Sequence, residues 1–431
     1  MEIKELIDNM GTNSAQLVEK TESYVALMVK IPVTGNMLLT EENIQKGLNE
    51  AGKLATSCAL SGFDTDGSPI EVAKIRYTSK GPTSKYYQTP FGEVYLQRHV
   101  YQNSSGGSTY CPLERDAHII GGTTTPRFAK MVSNKYSKMS ARDVHADLRE
   151  NHFRTIAGCY VQDLTEEVGK IVDSRPNCSY TIPIDPSNVA SIGISLDGAC
   201  MYISGDGYRQ AMVGSISLYD FNGERLYTRY TSMSPEYGKN RFHAVFERDI
   251  KSIKRLYPKA IYVGIADGAA DNWTFLKKYV QIQILDYFHA TEYLSDASKA
   301  AFKKPFEAKE WFENAKHKLR KEEKGAKKLT KEMNLFLSKR ISNNKKEIIE
   351  DAIKYFSNHL HLMDYQQYKK DNLPIGSGVI EAACKTIVKQ RMCQSGMKWK
   401  DKGAKTVLTL RCINESDTMW EQFWRKTCNI K

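Results

Sequence analysis

The sequence of 431 residues has no long apolar run and no closely paired cysteines. The longest apolar run near its start, residues 24–29, is broken by Lys30, so we expect neither a signal peptide nor a membrane span. The nine cysteines are odd in number and include no Cys-x-x-Cys pair, which favours reduced thiols and argues against a structural zinc site. These absences predict a cytoplasmic protein without membrane contact.

Several common nucleotide and metal motifs are also missing. The chain contains no Walker A sequence, Gly-x-Gly-x-x-Gly turn, EF-hand loop or His-Glu-x-x-His helix. Nucleotide-binding and zinc-protease functions therefore lack support. The pair His359 and His361 supplies too few ligands to predict a metal site.

The sequence does have an excess of positive charge. Lys and Arg number 62 against 50 Asp and Glu, which gives a formal net charge of +12 and a pI near 9.0. This balance favours nucleic acid as a partner. A mean hydropathy of -0.50 with 10% aromatic residues is typical of a chain that folds around a core, and the length predicts two or three packed units.

Residues 1–75 predict a helical N-terminal region. We expect helix through residue 62, with Thr40 as a cap and with one apolar face. The residues of that face are Ile44, Leu48, Ala51, Ala55 and Cys58.

Residues 76–126 predict a small β-hairpin region. Aromatic and β-branched residues alternate at 84–101 around a Pro-Phe-Gly turn, which is typical of two short antiparallel strands. The glycine-rich stretches that follow predict loops at 103–109 and 121–126.

Residues 127–175 predict two helices joined by a short turn, the first capped by Ser140 and Asp143. This arrangement resembles a helix-turn-helix that reads DNA. A plain helical hairpin that packs against its neighbours explains the pattern equally well. The second helix also carries the acidic residues Asp163, Glu166 and Glu167. A linker with three prolines is predicted next, at 174–187.

Residues 188–289 change character and predict an α/β core. Three apolar strands are each expected to end at an acidic residue, namely Asp197, Asp267 and Asp286. Two further strands between the first and second of these acids complete a meander, and a helix is predicted at 241–256. Asp271 is a competing carboxylate, but we expect it to cap a helix at 272–279.

Residues 290–370 predict a basic helical insertion, and residues 371–431 predict a return to the core. Between 303 and 346 there are 15 Lys and Arg against 6 Asp and Glu. Such a charge run is usually a solvated face, and the helices are expected both to support the core and to contact DNA. A closing helix is predicted at 403–425, with its tryptophans in the core.

The acidic residues at strand ends suggest a metal site. Open sheets bind ligands beyond the carboxyl ends of their strands, where Asp197 and Asp267 are expected, although Asp-Gly alone is an ordinary turn signal. With Glu381 they offer oxygen ligands for one or two Mg²⁺ or Mn²⁺ ions. Two such ions promote in-line displacement at phosphorus.

The segment PIGSGVIEAACKTIVKQRMCQSGMKW, residues 374–399, resembles the signature around the final glutamate of Kra-type bacterial insertion-sequence transposases, which are distantly similar to the Mutator group. Asp197, Asp267 and Glu381 resemble the acidic triad of the wider DDE transposase class. The sequence DYFH, with Asp286 and His289, is similar to the D-x-x-H element of that class, and TPFGEVYLQRHVY adds a weaker N-terminal resemblance. Relatives often carry paired cysteines near the N-terminal strands, but here only Cys111 is in that vicinity, so zinc is not expected.

The resemblance implies a ribonuclease-H-like mixed sheet in two parts, 188–289 and 371–431, interrupted by the helical insertion. It implies a magnesium- or manganese-dependent enzyme that cleaves transposon ends and joins their 3′-hydroxyls to target DNA, with two ions per site. A homodimer or larger assembly on DNA is expected, within the bacterial cytoplasm and nucleoid. The alternatives are a nuclease or resolvase without strand transfer and an inactive, transposase-derived DNA-binding regulator.

Further residues of the Glu381 segment are expected to support this chemistry. Gly376 and Gly378 would permit a close turn, and Lys385 and Lys389 would share the face of Glu381 at i+4 and i+8. Asp286 and His289 are auxiliary candidates, and His289 is equally well explained as a packing residue. The candidate DNA contacts are Lys385, Lys389, Gln390, Arg391, Lys398 and Trp399. Trp399 either stacks on an unpaired base or packs in the core.

Overall fold

A computed structural model describes residues 14–338 and 340–430 and has a mixed α/β fold. The chain divides into two compact units. One contains residues 1–174 and 421–431, and the other contains residues 175–420. The predicted linker thus begins where the first stretch of the first unit ends. The last eleven residues, which the sequence analysis assigns to the α/β core, belong to the first unit instead.

The first unit contains a β-hairpin where the sequence analysis predicts helix. Strands β1 (Ala15–Lys20) and β2 (Val25–Val29) pair antiparallel. The turn between them is closed by the amide of Thr21, which donates to the carbonyl oxygen of Tyr24 at 2.9 Å. The helical prediction was wrong for these two short runs, and its part at 1–13 lies outside the described residues.

Helix α1 (Met37–Ser61) confirms that this region contains a helix, but it begins before Thr40. Its cap is Asn36, whose side chain accepts a hydrogen bond from the amide of Leu39 at 3.1 Å. Thr40 is therefore a buried residue of the first turn. The side chain of an earlier residue satisfies the end of the helix, so the predicted cap was wrong.

The buried face of α1 also differs from the prediction. Ile44 and Leu48 are exposed, and the buried positions are Thr40, Gly47, Asn49, Ser57 and Leu60. A Cβ atom at Gly47 would lie 3.1 Å from Cγ1 of Ile31. The helix therefore approaches the chain after β2 through a small residue, which a search for large apolar residues does not detect.

A four-stranded antiparallel sheet follows, and it confirms the predicted hairpin. Its strands lie in chain order and are β3 (Ile70–Val72), β4 (Ile75–Gln88), β5 (Glu93–Asn103) and β6 (Gly106–Tyr110). The pair β4 and β5 packs Tyr87, Val94 and Leu96 into a small core. Strand β6 occupies most of the predicted loop at 103–109, because a two-residue turn there returns the chain to β5.

Four helices complete this part of the first unit: α2 (Pro112–Asp116), α3 (Pro126–Lys138), α4 (Ala141–His152) and α5 (Tyr160–Asp173). Helices α4 and α5 confirm the predicted pair, and the hydroxyl of Ser140 caps α4 by accepting from the amide of Asp143 at 3.2 Å. Helix α5 buries its apolar positions Val161, Leu164, Val168 and Val172. Packing accounts for these residues, and a DNA-reading role stays a prediction.

The second unit is organised around a five-stranded mixed sheet. Its strands are β7 (Ser191–Ile203), β8 (Gly207–Tyr219), β9 (Arg225–Met233), β10 (Ile261–Ala266) and β11 (Ile282–Leu285). They lie in the order β11-β10-β7-β8-β9. Strands β7 to β9 form an antiparallel meander, and β10 and β11 run parallel to β7. Five strands were predicted here, but the first two of them are one strand, β7, which does not end at Asp197 and continues to Ile203. Strand β9 was not predicted.

Helices cover the two faces of this sheet with separate apolar cores. Helices α6 (Asn240–Leu256) and α7 (Ala270–Leu276) pack on one face, which includes Ile194 and Leu196 of β7. The predicted insertion packs on the other face, which includes Ile265 and Ile284. Its helices are α8 (Tyr287–Ala301), α9 (Pro305–Lys321), α10 (Gly325–Phe336), α11 (Asn343–His359) and α12 (Tyr365–Lys370). The helical prediction for 290–370 is thus confirmed, and these helices support the sheet.

The Glu381 segment forms one helical stretch with an irregular middle. It consists of α13 (Gly378–Ala383), a π-helix (Cys384–Lys389) and α14 (Gln390–Met392). A π-helix leaves carbonyl groups out of the usual α-helical pattern. Buried Arg411 donates to two of them, the carbonyl oxygens of Thr386 and Ile387. This tertiary contact explains why the helix departs from regular geometry here.

The predicted helix at 403–425 is in fact two helices, α15 (Asp401–Glu415) and α16 (Met419–Thr427). The break at Ser416 and Asp417 serves the outer strand β9. The hydroxyl of Ser416 accepts from the amide of Tyr230 at 2.9 Å, and Asp417 accepts from the amide of Thr228 at 2.7 Å. Within the described residues no helix is both long and apolar enough to cross a membrane.

Candidate active site

Asp197 and Asp267 come from adjacent parallel strands. The pairing of β7 with β10 extends to Ser195 and Ile265, and Asp197 lies two residues further along β7. Asp267 directly follows β10. Both acids thus stand where the parallel pairing stops, although Asp197 lies inside a strand that continues in its pairing with β8.

The two carboxylates line one cavity of about 330 Å³. Its other polar lining residues include Gln210, Lys239, Asp271 and Asn272. Nδ2 of Asn272, a buried residue, lies 3.4 Å from Oδ1 of Asp267 and 3.5 Å from the carbonyl oxygen of Leu196. This side chain therefore spans the two strands that carry the acids.

The Asp267 turn also corrects the prediction for Asp271. Oδ1 of Asp267 accepts from the amide of Ala269 at 3.1 Å, and Ala269 is the N-cap position of α7. Asp271 already lies in the first helical turn and makes no side-chain cap. Its exposed carboxylate is 3.9 Å from Nζ of Lys239, so Asp271 is an additional acid at the cavity.

Glu381 is positioned by Ser377, which links it to Asp286; these three side chains are called the bracket below. The hydroxyl oxygen of Ser377 lies 2.6 Å from Oε1 of Glu381 and 2.7 Å from Oδ2 of Asp286. Asp286 is fully buried and also accepts from the amides of Ser377, Phe288 and His289. Asp286 therefore caps α8 and fixes the turn before α13, which places Glu381 in the first turn of its helix as predicted.

The bracket has an electrostatic consequence. Desolvation raises the pKa of the Glu381 carboxyl above its ordinary value, and the negative charge of Asp286 raises it further, while the hydrogen bond from Ser377 lowers it. A serine hydroxyl has one proton and cannot donate to two carboxylates at once. The Ser377 hydroxyl therefore donates to Glu381 or to Asp286 at any one time, and not to both.

Cys384 connects the Glu381 helix to β7. Its buried thiol lies 3.6 Å from Oδ2 of Asp197. Burial raises the pKa of this thiol, the negative charge of Asp197 raises it further, and the positive charge of Lys389 opposes the shift. The thiol therefore stays protonated and serves as a hydrogen-bond donor to Asp197.

The carboxylates suit a hard divalent cation by their chemistry, but only two of the three predicted ligands share the cavity. Within residues 14–338 and 340–430, no three His, Cys, Asp or Glu side chains come together as a metal site. Asp197 and Asp267 supply oxygen donors to the cavity, whereas Glu381 is held by Ser377. The donor set fits Mg²⁺ or Mn²⁺, and Glu381 would need to leave its bracket to complete it.

The glycines before Glu381 act differently from the prediction. Neither Gly376 nor Gly378 has a positive φ. A Cβ atom at position 376 would lie 2.6 Å from the ring of Phe288, whereas one at position 378 would meet nothing within 4 Å. Gly376 is therefore needed for close packing, and Gly378 is not.

The predicted DNA contacts divide into exposed and buried groups. Lys385, Lys389, Gln390 and Lys398 are exposed. Arg391 and Trp399 are buried, with the guanidinium 4.9 Å from the ring centroid and the indole N–H donating to the carbonyl oxygen of Met392 at 2.9 Å. The prediction that these two contact DNA was wrong, and the packing alternative for Trp399 is confirmed. The π-helix also alters the i+4 and i+8 register assumed for the lysines.

His289 and three residues not predicted from the sequence lie around the acids. His289 is partly exposed, with Nδ1 3.6 Å from Glu292, and its charge lowers the pKa of Glu381. The sequence analysis did not identify Lys239, Ser377 or Cys384 as site residues. Only Cys384 gives a local signal, since it follows Glu381 at i+3.

Compared with known proteins, the chain matches no family model and no curated protein.

Proposed function

We propose that the protein is a DDE-type DNA transposase of an insertion sequence, with a ribonuclease-H-like catalytic core. The sheet order supports this, because a three-stranded antiparallel meander is extended by two parallel strands beside its first strand. The observation that carries the proposal is that Asp197 and Asp267 line one cavity, while Cys384 joins the Glu381 helix to Asp197.

Asp197, Asp267 and Glu381 would hold two Mg²⁺ or Mn²⁺ ions. When bound, such ions activate an attacking oxygen and stabilise the leaving oxygen at phosphorus. Two side chains hold the strand-borne acids in place, since Asn272 contacts Asp267 and Cys384 contacts Asp197. Glu381 would leave its contact with Ser377 to join them. Asp286 acts in this proposal as the buried anchor of Ser377 and not as a metal ligand.

The reaction would proceed in two displacements. Water would attack the phosphodiester at the end of the element and break its P–O3′ bond, which frees the 3′-hydroxyl. That hydroxyl would then attack a phosphodiester of target DNA, forming a new P–O bond and releasing a 3′-hydroxyl of the target strand. None of the side chains that orient the acids need act as a nucleophile, so no covalent protein intermediate is expected. Two ends must be held together, which favours a homodimer or larger assembly on DNA in the bacterial cytoplasm.

Exposed lysines supply a route for the DNA backbone. Lys385, Lys389 and Lys398 lie on or after the Glu381 helix, and the helical insertion adds further exposed cations on α9 and α10. Such contacts release counterions, so DNA affinity should fall steeply as salt increases. Lys389 is also close enough to Cys384 to affect its pKa, which places positive charge beside the acids.

One observation favours a second candidate, a DNA-binding regulator derived from a transposase. The three predicted ligands are not gathered into one metal site in the described residues. This candidate predicts DNA binding without metal-dependent cleavage. A nuclease or resolvase on the same core instead predicts hydrolysis products without strand-transfer products.

The test uses the full-length protein, labelled duplexes that carry the termini of its own element, target plasmid and Mg²⁺ or Mn²⁺. We expect cleavage and strand transfer, and the variants Asp197→Asn, Asp267→Asn and Glu381→Gln should each lose both. Asp271→Asn is the matched control, because it neutralises an acid of the same cavity that is outside the proposed ligand set. Wild-type activity in Glu381→Gln would contradict the proposal.

A further inference from the structure

Beyond the acids, one edge of strand β7 no longer pairs with β10. The chain after the Glu381 helix packs along this edge. Pairing with β10 stops at Ser195, which leaves the later backbone groups of β7 without a strand on that side. The thiol of Cys393 donates to the carbonyl oxygen of Cys200 at 3.2 Å. Farther along, the amide of Ser204 donates to the carbonyl oxygen of Trp399 at 2.8 Å.

This arrangement brings two exposed cysteines together. Cys200 and Cys393 are both free thiols with solvent access. Sγ of Cys393 touches the peptide group of Cys200 itself, and the two thiols interact electrostatically. A disulfide requires the two Cα atoms to approach within about 7 Å, and a direct contact between one thiol and the other residue's own carbonyl suits that requirement.

We propose that Cys200 and Cys393 are a redox modification site, and that they form a reversible disulfide that fastens the end of the Glu381 helix to β7. Cys200 lies three residues after Asp197 on the same strand, and Cys393 follows directly after α14. The bond would therefore join the elements that carry two of the site acids. The proposal does not depend on the proposed function, since it concerns the bond itself.

The chemistry needs a small-molecule disulfide as oxidant. The Cys393 thiolate attacks one sulfur of the oxidant and releases one small thiol, which leaves a mixed disulfide on the protein. The Cys200 thiolate then attacks the Cys393 sulfur and releases the second small thiol. Two protein thiols are oxidised, one small disulfide is reduced to two thiols, and a dithiol such as dithiothreitol reverses the exchange.

The surroundings of Cys393 set the pH dependence of this step. Burial raises the pKa of its thiol, and the positive charge of Lys389 opposes that shift. The thiolate is the attacking form, so disulfide formation should be slow at neutral pH and faster under alkaline conditions. Lys389 and Cys200 are the charged or titratable groups that act on this thiol.

Other cysteines of the second unit provide controls. Cys178 is exposed, but the described contacts place no second thiol beside it. Cys384 and Cys412 are buried, so an oxidant in solution should reach them slowly. Cys178 therefore tests whether exposure alone is enough for disulfide formation, and Cys384 and Cys412 test whether burial prevents it.

The experiment treats the full-length protein with oxidised glutathione at mildly alkaline pH, blocks the remaining thiols, and maps peptides without reduction. We expect a linked peptide that contains both Cys200 and Cys393 and that disappears after dithiothreitol. Cys200→Ser and Cys393→Ser should abolish it, whereas Cys178→Ser should retain it.

A protein that carries glutathione on Cys200 or Cys393, but no link between them, would overturn the proposal. A disulfide from Cys393 to a different cysteine, formed equally in the wild type and in Cys200→Ser, would also overturn it. Amide hydrogen exchange of the oxidised and reduced protein tests the fastening, which predicts slower exchange at residues 390–400 after oxidation. Unchanged exchange there would refute that part. Both readouts work without an activity assay, so they remain decisive if the transposase proposal fails.

Discussion

The strand-borne acids and the helix-borne acid of the site are held in different ways. Asp197 and Asp267 each accept a hydrogen bond from a backbone amide within two residues, in or beside a hydrogen-bonded sheet. Glu381 is instead held by the hydroxyl of Ser377, which is fixed by Asp286 from 91 residues away. Backbone amides therefore hold one oxygen of each of the first two carboxylates, with support from the side chains of Cys384 and Asn272. Glu381 depends on a side-chain contact alone.

Removing the anchor of the bracket should have the largest effect. Asp286→Ala leaves the amides of Ser377, Phe288 and His289 without their acceptor and removes one of the two acceptors of the Ser377 hydroxyl. We expect a loss of about 3 kcal/mol in the free energy of unfolding, since it combines a lost helix cap with unsatisfied buried groups. Urea denaturation measures this. Asp271→Asn, an exposed carboxylate on α7, is the control and should change stability little, and an equal loss in both variants would break the comparison.

Gly376 and Gly378, in the turn before Glu381, provide a second test of how the helix-borne acid is held. Gly376→Ala should destabilise the protein by about 1–3 kcal/mol, because its Cβ atom would overlap the Phe288 ring. Gly378→Ala meets open space and should be neutral or stabilising by about 0.5–1 kcal/mol. Thermal unfolding of the two variants compares them directly. The reverse order would show that the turn depends on glycine flexibility and not on packing space.

The Cys384 thiol, which connects the Glu381 helix to β7, should contribute less to the free energy of unfolding. Cys384→Ala removes the contact with Asp197 and a buried sulfur atom, and we expect a loss of about 1 kcal/mol in the free energy of unfolding. Cys384→Ser keeps a donor at this position. Chemical denaturation should therefore show that the serine variant restores part of the loss, and a serine variant less stable than the alanine variant would argue that only packing matters.

The protonation of Glu381 should give the smallest but most specific signal. Its pKa is raised, chiefly by desolvation, so selective carboxyl ¹³C NMR of the metal-free protein should show it titrating above the ordinary glutamate range. Because the folded state holds this proton more tightly, the contribution to stability is full below the unfolded pKa and is lost as pH rises through the folded pKa. Ser377→Ala removes a hydrogen bond that lowers the pKa, so it should raise the pKa further. A lower pKa in that variant would contradict the bracket.

Local patterns predicted most elements of the second unit, because apolar strands and amphipathic helices have distinct periods, but they missed β9 and divided β7 in two. The end of β7 was missed because Asp197-Gly198 is also a turn signal. Gly198 instead continues the strand, and a Cβ atom there would lie 2.3 Å from Cδ of Gln210 on β8. The absence of a side chain at Gly198 leaves room for Gln210 of the neighbouring strand. A short stretch of sequence around Gly198 does not include that residue, so it could not predict the contact.

The residues that complete the site were harder to predict for the same reason. Nothing near Ser377 in the sequence indicates that Asp286 will hold it, and nothing near Thr386 indicates that Arg411 will take its carbonyl oxygen. The acids themselves were proposed as ligands because of their place beside strands and glycine-rich turns. Thus the sequence identified candidate ligands, whereas their orientation depends on contacts between distant segments.

The break between α15 and α16 affects how copies of the protein behave toward one another. Outer strands with free amides and carbonyls can pair with other chains and start aggregation. At β9, Ser416 and Asp417 occupy the amides of Tyr230 and Thr228, and β11 at the opposite side of the sheet has only four residues. The sheet therefore offers little template for fibre growth, and substitutions at Ser416 and Asp417 would expose one.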